Sequence, residues 1–382
     1  MKVWILIFIC MFSMPLLVAV LHFRMRKGQI LKIRQDYVKD ARYFGKSFSA
    51  LVEKALPEMK NGTIMLSRQE KVLEADGNQE FAQPDIEDLV IARNTVFCPQ
   101  QNDLHFQKEI YSEKDALFVK ENIRLRAVYS KKRIVFGNKI RLLRWADAEY
   151  AVAVYDECDL GERVSSGEQL VIGFDNVFHS LYAPVIRLGQ RPEEPDRFMD
   201  GRDPRIFRMP VMNRYEYNRH YIDDDMVTES GTVPYTIISR GDIKVIEDII
   251  LQGDIHSDGA VRIMENASVL GNIFAENDIL LEKNATVLGN IFTQGNIIFE
   301  EGASVGQPGK ITSVVARGTI TFYGGNNVYG YVVSEGGGKI LKSDREISGE
   351  YCFPREPVHE EKITFRDLSE YENVDSQGFR GD

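Results

Sequence analysis

Residues 267–284 read ASVLGNIFAENDILLEKN, and residues 285–302 read ATVLGNIFTQGNIIFEEG. The two lines superimpose position for position, and residues 249–266 (IILQGDIHSDGAVRIMEN) fall into the same frame. Working outward, the position of Ile273 recurs as Ile237, Ile255 and Ile291 at steps of eighteen. It returns at Val314 after a five-residue insertion around 307–312, and at Val332 eighteen residues later. Six windings with one interruption mark residues 234–343 as a repeat array.

Within one unit the inward positions are Val269, Ile273, Ala275, Ile279, Leu281, Ala285 and Val287, which alternate gaps of four and two. A gap of two is a short strand that points two side chains the same way. A gap of four spans a corner, and the corners carry Gly271-Asn272, Asn277-Asp278 and Lys283-Asn284. These residue types tolerate positive φ, which sharp corners demand. Three short strands and three corners per turn predict a triangular coil, so the fold class is all-β, a β-solenoid of eighteen residues per coil. Each strand would pair with its counterpart one turn on, burying one apolar column. Strand-sized gaps and frequent glycine exclude an α-helical repeat.

A fainter copy precedes this array. Ile110-Tyr111-Ser112, Val128-Tyr129-Ser130, Ala146-Asp147-Ala148 and Val164-Ser165-Ser166 stand eighteen apart, and Leu181-Tyr182-Ala183 follows at seventeen. Residues 88–190 read as a degenerate solenoid of the same period. Residues 191–233, rich in proline and charge, read as an excursion loop or linker between the two. The coils would stack as one rod or as two. Residues 344–382 hold eleven Asp/Glu against five Lys/Arg and read as an acidic disordered tail.

The amino terminus is different in kind. Residues 3–23 (VWILIFICMFSMPLLVAVLHF) form a low-polarity run long enough to span a bilayer as a helix. A cleavable signal peptide would need a shorter apolar core and an A-x-A-like site, which Val18-Ala19-Val20 matches poorly. The expectation is a transmembrane anchor at 1–23. Arg24, Arg26, Lys27, Lys32 and Arg34 follow it, with only Lys2 before it. That asymmetry predicts a single-pass protein of the inner (cytoplasmic) membrane whose bulk faces the cytoplasm. The same five residues are placed to touch lipid head groups. Residues 24–57 carry Tyr37, Ala41, Phe44, Phe48, Leu51 and Ala55 at helical spacing, with Pro57 as a stop. This predicts a juxtamembrane amphipathic helix, packed on the next domain or paired with another chain as a short coiled coil. The polar stretch 58–87 reads as a linker.

The whole chain has 382 residues and net charge -10, which argues against a nucleic-acid partner. Its four cysteines, Cys10, Cys98, Cys158 and Cys352, show no disulfide framework and no metal-ligand spacing, and they fit a reducing compartment. No phosphate-binding loop, nucleophile elbow, zinc-protease or kinase motif is present. Asp200-Gly201-Arg202-Asp203 lacks the ligand series of a calcium loop, and Asp223-Asp224-Asp225 reads as a solvated turn. His256 lies between inward Ile255 and Ser257 and so faces outward; His179 and His220 have no better claim to chemistry. The reading calls for no cofactor, no metal and no catalytic residue.

Outward positions of a solvated solenoid should be polar, yet one column reads Ile238, His256, Phe274, Phe292, Val315 and Val333. Neighbouring outward faces add Leu280 with Ile298, and Leu270 with Leu288. A contiguous apolar stripe implies cover, either by another part of the chain (the helix or the 191–233 excursion) or by another molecule.

The array 237–341, with Gly253-Asp254-Ile255, Gly271-Asn272-Ile273 and Gly289-Asn290-Ile291 at its core, resembles the bactofilin family of bacterial polymer-forming cytoskeletal proteins. The resemblance covers a little over a quarter of the chain. It implies a right-handed, three-sided β-helix that polymerises end to end, without nucleotide, into non-polar filaments, often at a membrane. Two departures stand out: a membrane helix, second solenoid and long loop precede the array, and a solenoid stacked on one end would occupy a polymerising surface. The glycine-rich close at 332–341 (VVSEGGGKIL) carries no obvious cap, so its strand edges are expected to template another chain. The sequence thus predicts a membrane-anchored scaffold whose partners are copies of itself, the membrane and unknown protein clients. Two alternatives stay open: a hexapeptide-type acyltransferase or surface-polymer modifying enzyme using His256 as general base, and a monomeric membrane-tethered adaptor.

Overall fold

The computed structural model describes Met14 and residues 40–75, 77–192, 221–222 and 231–342. The 193–220 part of the excursion and the 344–382 tail lie outside them, as does, Met14 apart, the expected span at 3–23. Among the described residues no helix is long and apolar enough to cross a membrane.

The chain is a β-solenoid of about thirteen turns, eighteen residues per turn. In the C-terminal stack, Ile237, Ile255, Ile273, Ile291, Val314 and Val332 pair in parallel register as the repeat predicts, and all are fully buried. In the N-terminal stack the equivalent column is Leu73, Val90, Ile110, Val128, Ala146, Val164 and Leu181. That stack starts earlier than its sequence suggests. Residues 58–87, expected as a linker, contain the strand Gln69–Ala75, which forms the first turn. Its sequence, QEKVLEA, is polar and alternates exposed and buried residues at the end of the stack. The antiparallel strand Thr63–Met65 pairs against it on the outside.

Glycine and asparagine at the corners act in two ways. At one corner Asp248, Asn266, Asn284 and Gly302 hold positive φ, as expected. At the Gly271-Asn272 corner the backbone is ordinary. There a Cβ on Gly271 would overlap the carbonyl of Gly253 one turn below, so glycine is required by the closeness of successive turns. The amides beside it stack: Asn272 Nδ2 donates to Asp254 Oδ1 at 2.9 Å, and Asn290 Nδ2 to Asn272 Oδ1 at 2.9 Å. Such a ladder satisfies polar groups at a corner that no side chain covers.

The two stacks wind toward each other. The last strand of the N-terminal stack, Asn176–Leu188, pairs antiparallel with the last strand of the C-terminal stack, Asn326–Leu341. Leu181 lies opposite Val332 and Tyr182 opposite Tyr331, so the two inward columns abut and a single apolar core runs through both. Phe178 reaches across to Phe322 at 6.3 Å. Gly338 makes room for it, since a Cβ there would overlap the Phe178 ring. The strand edge at 332–341, expected to be free for another chain, is therefore consumed within the molecule. The glycines expected as an uncapped close are the seat of that contact. The chain leaves the junction near Gln190 and rejoins the far end of the C-terminal stack at Tyr221–Ile222, which pairs with Lys244 and Val245, and then at Thr232–Val233. Six turns measure about 29 Å at ~4.8 Å each, a distance the roughly thirty intervening residues span easily.

A candidate assembly surface

One face of the rod carries the features that distinguish this chain from a bare solenoid. On the N-terminal stack it is covered by a helix, α1 (Tyr43–Ala55), which ends against Leu56–Glu58 and Pro57. The expected juxtamembrane helix at 24–57 is thus present over its described second half, and it packs on the next domain. Its buried side is Gly45, Ser49, Val52 and Ala55, not the large residues Phe44 and Leu51 that periodicity favoured. The reason is closeness: a Cβ on Gly45 would overlap the Asp147 carboxylate. Val52 and Ala55 join Leu89, Ile91, Tyr111, Tyr129 and Trp145 in one apolar cluster. Phe48 meets Tyr111 and Trp145 edge-on, at 6.4 and 5.6 Å. Tyr111 and Tyr129 stack on successive turns at 5.7 Å.

The entry to α1 is fastened by a buried ion pair. Arg42 Nε donates to Asp147 Oδ1 at 2.8 Å and Nη1 to Glu149 Oε2 at 3.2 Å. Ser165 Oγ donates to Asp147 at 2.7 Å, and the Tyr129 hydroxyl donates to Glu149 at 2.7 Å. Burial pushes the Asp147 carboxyl above its ordinary range by more than Arg42 and Ser165 bring it down. Burial also works against the charge of Glu149, but hydrogen bonds from Tyr129 and Arg42 outweigh it and hold that carboxyl below its ordinary value. Farther along α1, Lys131 pairs with Glu53 at 3.0 Å and draws its carboxyl down.

On the C-terminal stack no helix covers the same face among the described residues. Ile238, His256, Phe274, Phe292, Val315 and Val333 occupy successive turns in parallel register. His256 stacks on Phe274 at 4.7 Å and Phe274 on Phe292 at 5.4 Å with planes 8° apart. Phe274 is 36% exposed and Ile238 38%, while Phe292, Val315 and Val333 are half-buried. Ser257, Asp258, Glu276 and Gln294 line the shallow open groove beside them. Because the rings stack on one another along the rod, their faces are used up and their edges point outward. Such a strip suits the side of a helix better than the flat ring of a sugar.

The other stripe residues separate from this ladder. Leu270 and Leu288 are buried and pack together with Ile250. Leu280 and Ile298 pair in register and are buried too. Of the residues expected to form an assembly or packing stripe, these four pack within the fold. The helix α1 does not cover the ladder, since it lies on the N-terminal stack. The candidate head-group residues Arg24, Arg26, Lys27, Lys32 and Arg34 lie outside the described residues, as does His220.

His256 is exposed and engaged by Phe274 on one face. Among the described residues no group of three or more His, Cys, Asp or Glu side chains is placed to hold a metal ion. Cys98 and Cys158 are free and buried, and burial pushes the Cys158 thiol up to about 12, which leaves it unreactive.

Two features of this surface escape sequence reading. The Arg42–Asp147 pair joins residues 105 apart, and its one signal is a carboxylate at a position where neighbouring turns carry Tyr111, Tyr129 and Ser165. The junction contact Tyr182–Tyr331, with ring centroids 4.5 Å apart, joins outward residues of the two terminal strands. No protein-family model, no curated protein and no solved structure matches the chain.

Proposed function

We propose that the protein is a membrane-anchored scaffold, similar to the bactofilins, that self-associates through its β-solenoid without nucleotide or catalysis. The observation that carries this reading is the exposed ladder His256–Phe274–Phe292 on a rigid rod. A face of stacked aromatic edges beside a shallow open groove suits the docking of another surface. The resemblance of residues 237–341 adds the right-handed coil and the membrane-associated, cytoplasmic setting, with the apolar run at 3–23 as anchor. The antiparallel junction shifts the reading in one respect. With the C-terminal ends of both stacks joined inside one chain, growth end to end from that surface is closed, and association runs along the side of the rod.

Full-length protein in mild detergent should sediment as a concentration-dependent oligomer at micromolar concentration, with or without added nucleotide. A single monomeric species throughout that range would overturn the proposal.

A further inference from the structure

The ladder and α1 share one face of the rod and sit at matching heights on either side of the junction. Counting turns outward from the paired strands, Trp145 is two turns from the junction, Tyr129 three and Tyr111 four. On the other side Phe292 is two turns away, Phe274 three and His256 four. The helix runs along the rod over the first set. The second set has the same kind of stacked rings and, among the described residues, no helix over it. Meanwhile α1 leaves Phe44 (42% exposed, with Arg163 against its ring) and Leu51 (51% exposed) open on one flank. These two are about 10.5 Å apart along a helix, and His256 to Phe292 spans about 10 Å along the rod.

From this we infer that the ladder is the docking site for α1 of a second copy, in an antiparallel, face-to-face dimer whose two-fold axis passes through the junction. The inference rests on the reading of the chain as a self-associating scaffold. A two-fold axis there exchanges the two sides of the junction, so it seats both helices on both ladders at once and closes the assembly. Phe44 then faces Phe292, and Leu51 faces His256. Charge agrees: exposed Lys54 of α1 is of opposite sign to Asp258 and Glu276 beside the ladder.

The test uses full-length chain with Cys10 and Cys352 replaced by serine, leaving only the buried Cys98 and Cys158. One pool carries Leu51→Cys and the other His256→Cys. A short bis-maleimide should give covalent dimer in the mixture and in neither pool alone, because the two-fold keeps like positions about 40 Å apart. Phe274→Arg, and separately Leu51→Asp, should weaken self-association about tenfold or more while leaving the circular dichroism unchanged. Self-association without cross-linking in the mixture, cross-linking within a single pool, or indifference to Phe274→Arg would each overturn the dimer and leave the scaffold standing. A chain monomeric at every concentration would remove both.

Discussion

At the scale of single residues, the fit between α1 and the rod is set by Gly45 and Asp147. Alanine is the better helix former by about 1 kcal/mol, yet a Cβ at position 45 has no room beside a carboxylate already fixed by Arg42 and Ser165. Gly45→Ala should therefore destabilise the folded chain by about 1–3 kcal/mol despite its propensity gain, read from the chemical unfolding midpoint. Asp147→Ala should cost more, about 3–5 kcal/mol, because it leaves a buried guanidinium without its main partner. A midpoint unchanged in either variant would show that the helix is not seated this way. The sequence carried half of this. Helical spacing over Phe44, Phe48, Leu51 and Ala55 announces the helix, but periodicity ranks faces by size. The observed contact favours the smallest residue, for a reason that lies 102 residues away in the chain.

At the scale of elements, α1 is held by an apolar cluster and by carboxylates displaced in opposite directions. The Glu53 and Glu149 carboxyls lie below their ordinary value, so the stability they contribute is complete above the ordinary glutamate pKa and is lost as pH falls through their folded values. Asp147 lies above its ordinary value, so its contribution runs the other way: it is present at low pH and lost as pH rises through the folded pKa. Acidification from about pH 5 toward 3 should accordingly loosen the outer part of α1, around Glu53, before the Arg42 end. In a Trp4→Phe background, Trp145 under Phe48 reports the event as a red shift in emission. Glu53→Gln combined with Glu149→Gln should flatten the titration. A red shift of the same size in the double variant would remove these ion pairs as the cause.

At the scale of the whole molecule, the repeat announced its own period, its inward column and its corners. The direction in which the two stacks face was hidden, because a coil reads the same whether the next stack runs with it or against it. Only the pairing of Asn176–Leu188 with Asn326–Leu341, some 150 residues apart, decides it. The first N-terminal turn was hidden for another reason: in its strand QEKVLEA only Val72, Leu73 and Ala75 are apolar, so it lacks the apolar signature of a middle turn. The junction has a consequence for assembly. A solenoid end left unpaired is a row of hydrogen-bonding groups above an apolar cross-section, and it templates whatever strand arrives. Here two such ends quench each other within one chain, and Gly338 is the point where that contact tolerates no side chain, since any Cβ there would overlap Phe178. Gly338→Val should part the two terminal strands and free both edges while leaving the middle turns of each stack intact. The expected outcome is a change in the kind of assembly. The parent forms a finite oligomer of constant mass above saturation, whereas the variant scatters light increasingly with concentration as chains add end to end. If Gly338→Val keeps the finite mass of the parent, the junction does not limit growth, and some other feature of the rod sets its size.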